Sequence, residues 1–272
     1  MASEQVPTEL ERMLESAARD PAERPAFAEA LLASEVYVLG SLNAPPVDGL
    51  VRSGAKAQLV NFSDAEGRFV PFFTSEAAMR SSLAVRPGST RSYLRLPCRQ
   101  LFEMTKGARL VLNPDSSYGK QYPPAEIACL LAGREPGLRV EVATEPMQML
   151  TGAAANLPPE LPATIARFFA QRPTVDSARI GRVLYLDGRQ APPGYLLVVV
   201  TSDREASMAG FGMIQIGELT GGATLDVVIQ EPGVEESVLS QVPPVLRPTA
   251  TGGSPNSTSR TVPTEVGIVT NT

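Results

Sequence analysis

The stretch "LVNFSDAEGRFVPFFTSEAAM" (residues 59–79) reads, in order, as strand, tight turn, strand and helix start. Residues 57–62 and 68–73 carry the β-branched and aromatic side chains of strands. "SDAEG" between them, ending in Gly67, is a hairpin-type connection. Pro71 cannot donate to a ladder, which favours an edge position or a bulge. Thr74 or Ser75 caps a helix with Glu76 in its first turn, where the macrodipole favours an acid. Two strands joined by a short turn must run antiparallel, so this unit excludes strict βαβ winding.

The same mixture continues outward. Leu10, Met13, Leu14 and Ala17 form a helical stripe, and Asp20-Pro21 opens a second helix. Strands are expected over 35–40, 91–96, 108–113 and 138–142, with helices from Pro97 past Met104 and over 123–133. After a linker-like stretch, 143–158, a helix is expected over 160–171 with Ile165, Phe168 and Phe169 on one side. Strands over 178–188, 194–202 and 223–230 and a weak helix near 204–210 complete the pattern. Residues 243–272 are rich in Pro, Thr, Ser and Gly and lack the apolar area to offset ordering. The expected fold is therefore α+β. It has two domains, 1–142 and 159–242, each a mainly antiparallel sheet with helices packed on one face, and a disordered C-terminal tail.

Composition narrows the chemistry. The 272 residues carry a net charge of −5, which gives no general attraction for nucleic acid or anionic lipid. No apolar run approaches the roughly 20 residues that span a bilayer. The start lacks the basic and apolar segments of a signal peptide, so a cytoplasmic location is expected. There is no histidine, so triad catalysis and His-containing zinc sites are excluded. Cys98 and Cys129 cannot make a four-cysteine site, and no metal or cofactor is expected.

Residues 109–124, "RLVLNPDSSYGKQYPP", resemble a phosphate loop in outline. The motif G-x-x-x-x-G-K-[ST] would need Gly at 114 and a hydroxyl at 121, where Pro and Gln stand. Pro123-Pro124 also delays the helix that should begin at Lys120. The stretch is better read as a strand-to-helix turn, with Asp115, Ser116 and Ser117 bonding nearby backbone. Cys98 follows Pro97 at a helix start, with Arg95 and Arg99 near in sequence, an arrangement that lowers a thiol pKa. Cys129, inside "AEIACLLAG", reads as a buried small hydrophobe.

"VLNPDSSYGKQYPPAEIACLL" (111–131) resembles the signature of the bacterial SseB family, through Leu112, Asn113, Pro114, Ser116, Tyr118, Glu126, Ile127 and Leu130. "DPAERPAFAEALLASEVYVLG", the opening stretch and "YLRLPCRQLFEM" are similar too, so the resemblance covers 20–133. A weaker likeness to the family's C-terminal domain runs over 157–242. The family takes its name from enhanced sensitivity to serine on overproduction, and no catalytic residues carry over from it. Together with the missing histidine and the failed catalytic motifs, the resemblance leads to the expectation of a non-catalytic protein binding an unknown protein partner or small ligand, while charge and hydropathy argue against a nucleic acid or membrane partner. Asn113, Pro114, Ser116 and Tyr118 are its candidate binding residues. One alternative is sulfur transfer or redox work at Cys98. Another is secretion-associated adaptor work, resting on a name shared with a secretion translocon protein.

Overall fold

The computed structural model describes residues 6–42, 57–86, 92–136, 138–142, 149–154, 156–185, 194–233, 239, 242–246 and 267–271. The chain divides into two compact units: Met1–Arg19 with Glu23–Pro136, and Asp20–Ala22 with Gly137–Thr272.

The first unit runs α1 (Glu9–Arg19), α2 (Arg24–Ala33), β1 (Glu35–Leu42), β2 (Ala57–Leu59), β3 (Phe62–Asp64), β4 (Gly67–Phe73), α3 (Glu76–Ala84), β5 (Tyr93–Pro97), α4 (Cys98–Met104), β6 (Leu110–Leu112), β7 (Lys120–Tyr122) and α5 (Pro124–Leu131). Its sheet has the order β2-β1-β4-β6-β7, with β3 beside β4 and β5 beside β1. All its pairs are antiparallel except β4 with β6.

The opening stretch does form a hairpin, but a shorter one than expected: the strand read over 57–62 is split, β2 pairing with β1, and only β3 turns back on β4, with Asp64 opposite Gly67. Arg109 fastens it, reaching Asp64, Glu66 and the Gly67 carbonyl oxygen while lying over the Phe69 ring. Pro71, however, sits in a central strand. The Val70 amide donates to Arg109 O and the Asn113 amide to Phe72 O, so residues 70 and 72 bond toward β6. Residue 71 therefore turns its backbone to the other side. There β3 pairs only as far as Phe69 and β1 begins at Phe72, so the missing donor faces a gap between partners.

Alternation along the strands splits the core. Leu39, Phe69, Phe73 and Val111 face Met79 of α3. Phe72 points the opposite way and packs with Phe102 of α4 and with Tyr122, its ring centroid 5.9 Å from each. Helices thus cover this sheet, α3 on one face and α4 on the other. α3 begins as expected: Ser75 is its N-cap, and its hydroxyl accepts from the Ala78 amide at 3.0 Å.

The second unit contains β8 (Leu138–Val142), β9 (Met149–Gly152), α6 (Glu160–Ala170), β10 (Val175–Tyr185), β11 (Gly194–Thr201), α7 (Arg204–Met208), α8 (Ile216–Thr220), β12 (Leu225–Gln230) and β13 (Gly267–Asn271). Its sheet order is β8-β13-β12-β11-β10-β9, antiparallel except for β11 with β12. The parallel pair is bridged by the crossover that carries α7 and α8. Leu161, Ile165, Phe168 and Phe169 of α6 are fully buried against Ala178, Ile180, Leu197, Val199 and Val227. Val183, Leu196, Val198 and Val228 form a smaller cluster with Leu239 on the opposite face.

Both units are thus α+β and mainly antiparallel. β9 arises inside the stretch read as a linker, whose residues 143–148 and 155 lie outside the described residues. Of the expected tail, residues 243–246 and 267–271 are described, the latter as β13; 247–266 and 272 lie outside.

Candidate functional site

Residues 113–119 join β6 to β7, and those strands pair antiparallel with Leu112 opposite Lys120. The segment is a hairpin loop, which corrects the strand-to-helix reading. A strand of three residues is too short to show alternation. Its pairing buries Tyr122, and only then does Pro123-Pro124 open α5.

The loop's conformation follows from its residues. Asn113 and Asp115 take positive φ, 45° and 70°, and these side-chain types tolerate the left-handed region best. Gly119 is required by close approach: a Cβ there would stand 3.0 Å from Asn113 O and 3.2 Å from Leu112 O. Three of the loop's amides are spent within the protein. Asn113 N donates to Phe72 O, Ser116 N to Asn113 O, and Tyr118 N to the Ser116 hydroxyl. Lys120 pairs with Glu126 at 3.0 Å and lies over the Tyr122 ring. The Gly-Lys pair therefore closes a hairpin, with its lysine engaged by Glu126.

Side chains tie the loop to the ends of α1 and α3. Asn113 is buried at 4% exposure. Its Oδ1 accepts from the Thr74 amide at 3.0 Å and its Nδ2 donates to the Thr74 hydroxyl at 2.9 Å. Thr74 Oγ1 in turn donates to Glu11 Oε1 at 3.2 Å, and Ser75 Oγ donates to the same oxygen at 2.6 Å. Glu11 Oε2 accepts from the Thr8 amide at 2.7 Å while Thr8 Oγ1 accepts from the Glu11 amide at 3.2 Å, a capping box at the start of α1. One carboxylate thus joins the beginnings of α1 and α3 to the loop. At the other end of α3, Asp115 accepts from Ser82 at 2.8 Å and from both Nε and Nη2 of Arg86, at 2.9 and 2.7 Å. At the end of α1, Arg19 donates to the Tyr118 hydroxyl at 2.7 Å.

These contacts set the protonation of the acids. Burial pushes Glu11 up, but hydrogen bonds from Ser75, Thr8 and Thr74 outweigh it and hold the carboxyl below its ordinary 4.5. The Arg86 guanidinium, aided by Ser82, holds Asp115 below its ordinary 3.8. A depressed folded-state pKa means the unfolded chain binds the proton more tightly. The stabilisation is therefore present above the ordinary value and lost as pH falls through the folded one. The thermal midpoint should drop as pH falls below these ordinary values, and Asp115→Asn should flatten that drop. A midpoint-versus-pH curve identical in the variant would refute the role of the pair.

The candidate residues are thus brought together, with unequal exposure. Asn113 and Pro114 are buried, Tyr118 is half-buried, and Ser116 is exposed. Glu11 was missed, although T-E-L-E at 8–11 carries the capping-box signal; Arg86 and Arg19 have no local signal, lying 29 and 99 residues from their partners. Cys98 does open a helix, α4, but it is fully buried, and burial pushes its thiol up to about 12. Desolvation overrides the sequence-near arginines. One of them, Arg95, is paired with Glu35, and the other, Arg99, donates to Leu131 O. Cys129, read as buried, is only half-buried, because α5 turns Ile127 and Leu130 to the core instead. Among the described residues, no helix is long and apolar enough to cross a membrane, and no group of three or more Cys, Asp or Glu is placed to hold a metal.

A family model described as the SseB protein N-terminal domain matches residues 10–129. Protein SseB of Escherichia coli (strain K12) is 30% identical over 223 residues, 80% of this chain and 83% of that protein. Protein SseB of Shigella flexneri matches with the same identity and coverage. No solved structure matches the chain.

Proposed function

The chain belongs to the SseB family, and from that membership we propose that it is a non-catalytic protein that binds a protein partner or small ligand. A setting that touches serine sensitivity is part of the same proposal and rests on the family resemblance alone.

The observation that carries the reading is the direction of every displaced acid, thiol and phenol among the described residues. Glu11, Asp64, Glu76 and Asp115 are all held below the ordinary carboxylate values by hydrogen bonds that outweigh the opposing effect of desolvation. Cys98 and Tyr122 are both pushed up by burial. General acid–base and nucleophilic catalysis profit from groups displaced toward neutrality. Here each displacement runs away from it and follows from a hydrogen bond, for the acids, or from burial, for Cys98 and Tyr122.

The test is affinity isolation of the full chain from cells, followed by native mass spectrometry. The expected result is a stoichiometric added mass, from a partner chain or a small molecule, that survives gel filtration. Turnover of a defined metabolite by the pure chain, abolished by one substitution, would overturn the proposal.

A further inference from the structure

Among the described residues, β5 of the first sheet pairs only with β1, and no described strand meets its other margin. The hydrogen-bond phase fixes which groups that margin offers. Gly40 N donates to Ser92 O at 3.0 Å and Cys98 N to Ser34 O at 2.9 Å. Even-numbered residues of the strand therefore bond toward β1. Tyr93 and Arg95 turn their N–H and C=O groups outward, and Pro97, which has no N–H, takes the third outward position. A proline placed there costs the sheet nothing and ends any added ladder.

The outward residues also share one face. Tyr93 is 39% exposed. Its ring lies 5.8 Å from Tyr37 and its hydroxyl engages Glu76, while the Arg95 guanidinium pairs with Glu35 and lies 5.9 Å from the same Tyr37 ring. A second copy of the chain can meet this margin antiparallel about a two-fold axis in a small number of registers. Centring the axis on Arg95 sets Arg95 against Arg95 of the other copy and asks Pro97 for a donor it lacks. Centring it on Tyr93 sets the two phenol rings against each other and leaves each Arg95 without a ring across the seam. Centring it on Leu94 sets each Tyr93 against the other copy's Arg95. Both pairs then exchange backbone hydrogen bonds, and each cation meets an aromatic ring across the seam.

We propose that β5 is a self-association edge through which two copies join their sheets, with Leu94 at the two-fold axis and Tyr93 opposite Arg95. The inference is independent of the proposed binding function. A ladder of two pairs buries less area than a permanent dimer needs, so the association depends on concentration.

Register makes the test specific. Leu94 would meet its own copy as a non-hydrogen-bonded pair with Cα atoms about 4.5 Å apart, a separation a disulfide can span. In a full-length Cys129→Ser background, Leu94→Cys should convert mostly to covalent dimer under oxidised glutathione. Tyr93→Cys, which would face residue 95, should not. Adding Tyr93→Ala and Arg95→Ala to Leu94→Cys should slow cross-linking at least tenfold, with circular dichroism confirming that the variant is folded. The unsubstituted chain should shift toward dimer with concentration in sedimentation velocity. A chain that stays monomeric, with the Leu94→Cys variant left uncross-linked, overturns the proposal, as expected if the margin instead takes an extended segment of a different protein. Equal cross-linking at positions 93 and 94 overturns it as well.

Discussion

Asn113→Ala lowers stability by about 2–5 kcal/mol, measured as a shift in the denaturant midpoint followed by circular dichroism. Two losses combine. The Thr74 amide loses its acceptor in a site where Thr74 is itself only 6% exposed, and a buried donor left unpaired costs about 1–3 kcal/mol. Alanine must also hold φ near the 45° of Asn113, which adds about 1–2 kcal/mol for a side chain without Asn's local hydrogen bonding. The two terms separate experimentally. Asn113→Gly removes the backbone penalty and keeps the lost hydrogen bonds, so it should recover about 1 kcal/mol relative to alanine. Asn113→Asp keeps an acceptor for Thr74 N but loses the donor to Thr74 Oγ1. It also sets a second carboxylate against the same Thr74 hydroxyl that Glu11 engages, so it should fall below wild type most clearly at neutral pH. Alanine and glycine variants both within about 0.5 kcal/mol of wild type would show that the hydrogen bonds to Thr74 do not hold the loop.

Phe168→Ala is the larger loss, about 3–5 kcal/mol, the range for deleting a buried phenyl ring. Phe168 packs with Phe169 at 5.1 Å and Phe211 at 5.4 Å between centroids, and it is fully buried. The Arg172 guanidinium also lies 3.4 Å from the ring centroid while donating to Phe168 O and Ala209 O. Removing the ring opens a cavity and strips the aromatic face from a cation that caps α6. Phe168→Leu separates these effects. It retains most of the volume, so its packing cost stays under about 1.5 kcal/mol, and any excess reports the lost ring contacts with Arg172, Phe169 and Phe211. Thermal unfolding of both variants is the measurement. A leucine variant as unstable as alanine would assign the effect to the aromatic contacts of the ring rather than to its volume.

The motif with the outline of a damaged phosphate loop is a fastening. Asn113 and Pro114 were readable as a turn from their chemistry, and the failed glycine and hydroxyl positions already argued against a nucleotide. What the loop fastens was not readable. Its partners Thr74, Ser82 and Arg86 lie 39, 33 and 29 residues away. Nothing local in "NPDSSY" distinguishes a side chain aimed at solvent from one aimed at the end of a helix. Cys98 shows the same division. Its place at a helix start was visible, but thiol acidity depends on what surrounds the sulfur in space, and there burial dominates.

Spacing and local chemistry were enough for the element types. Alternation, caps and turn residues act over a few positions, so the hairpin at 62–69, the Ser75 cap, the α6 face and the α+β class followed from them. The absence of histidine likewise removed whole classes of chemistry on composition alone. Which strands are neighbours was settled only in the folded chain. β7 and β9 exist because a partner strand supplies their hydrogen bonds. Pro71 is tolerated because it faces a gap between partners, and among the described residues β5 lies at an edge, with β1 on one side and β1's other partners beyond it. Pairing between segments distant in the chain is a property of the assembled sheet, and no single segment encodes it.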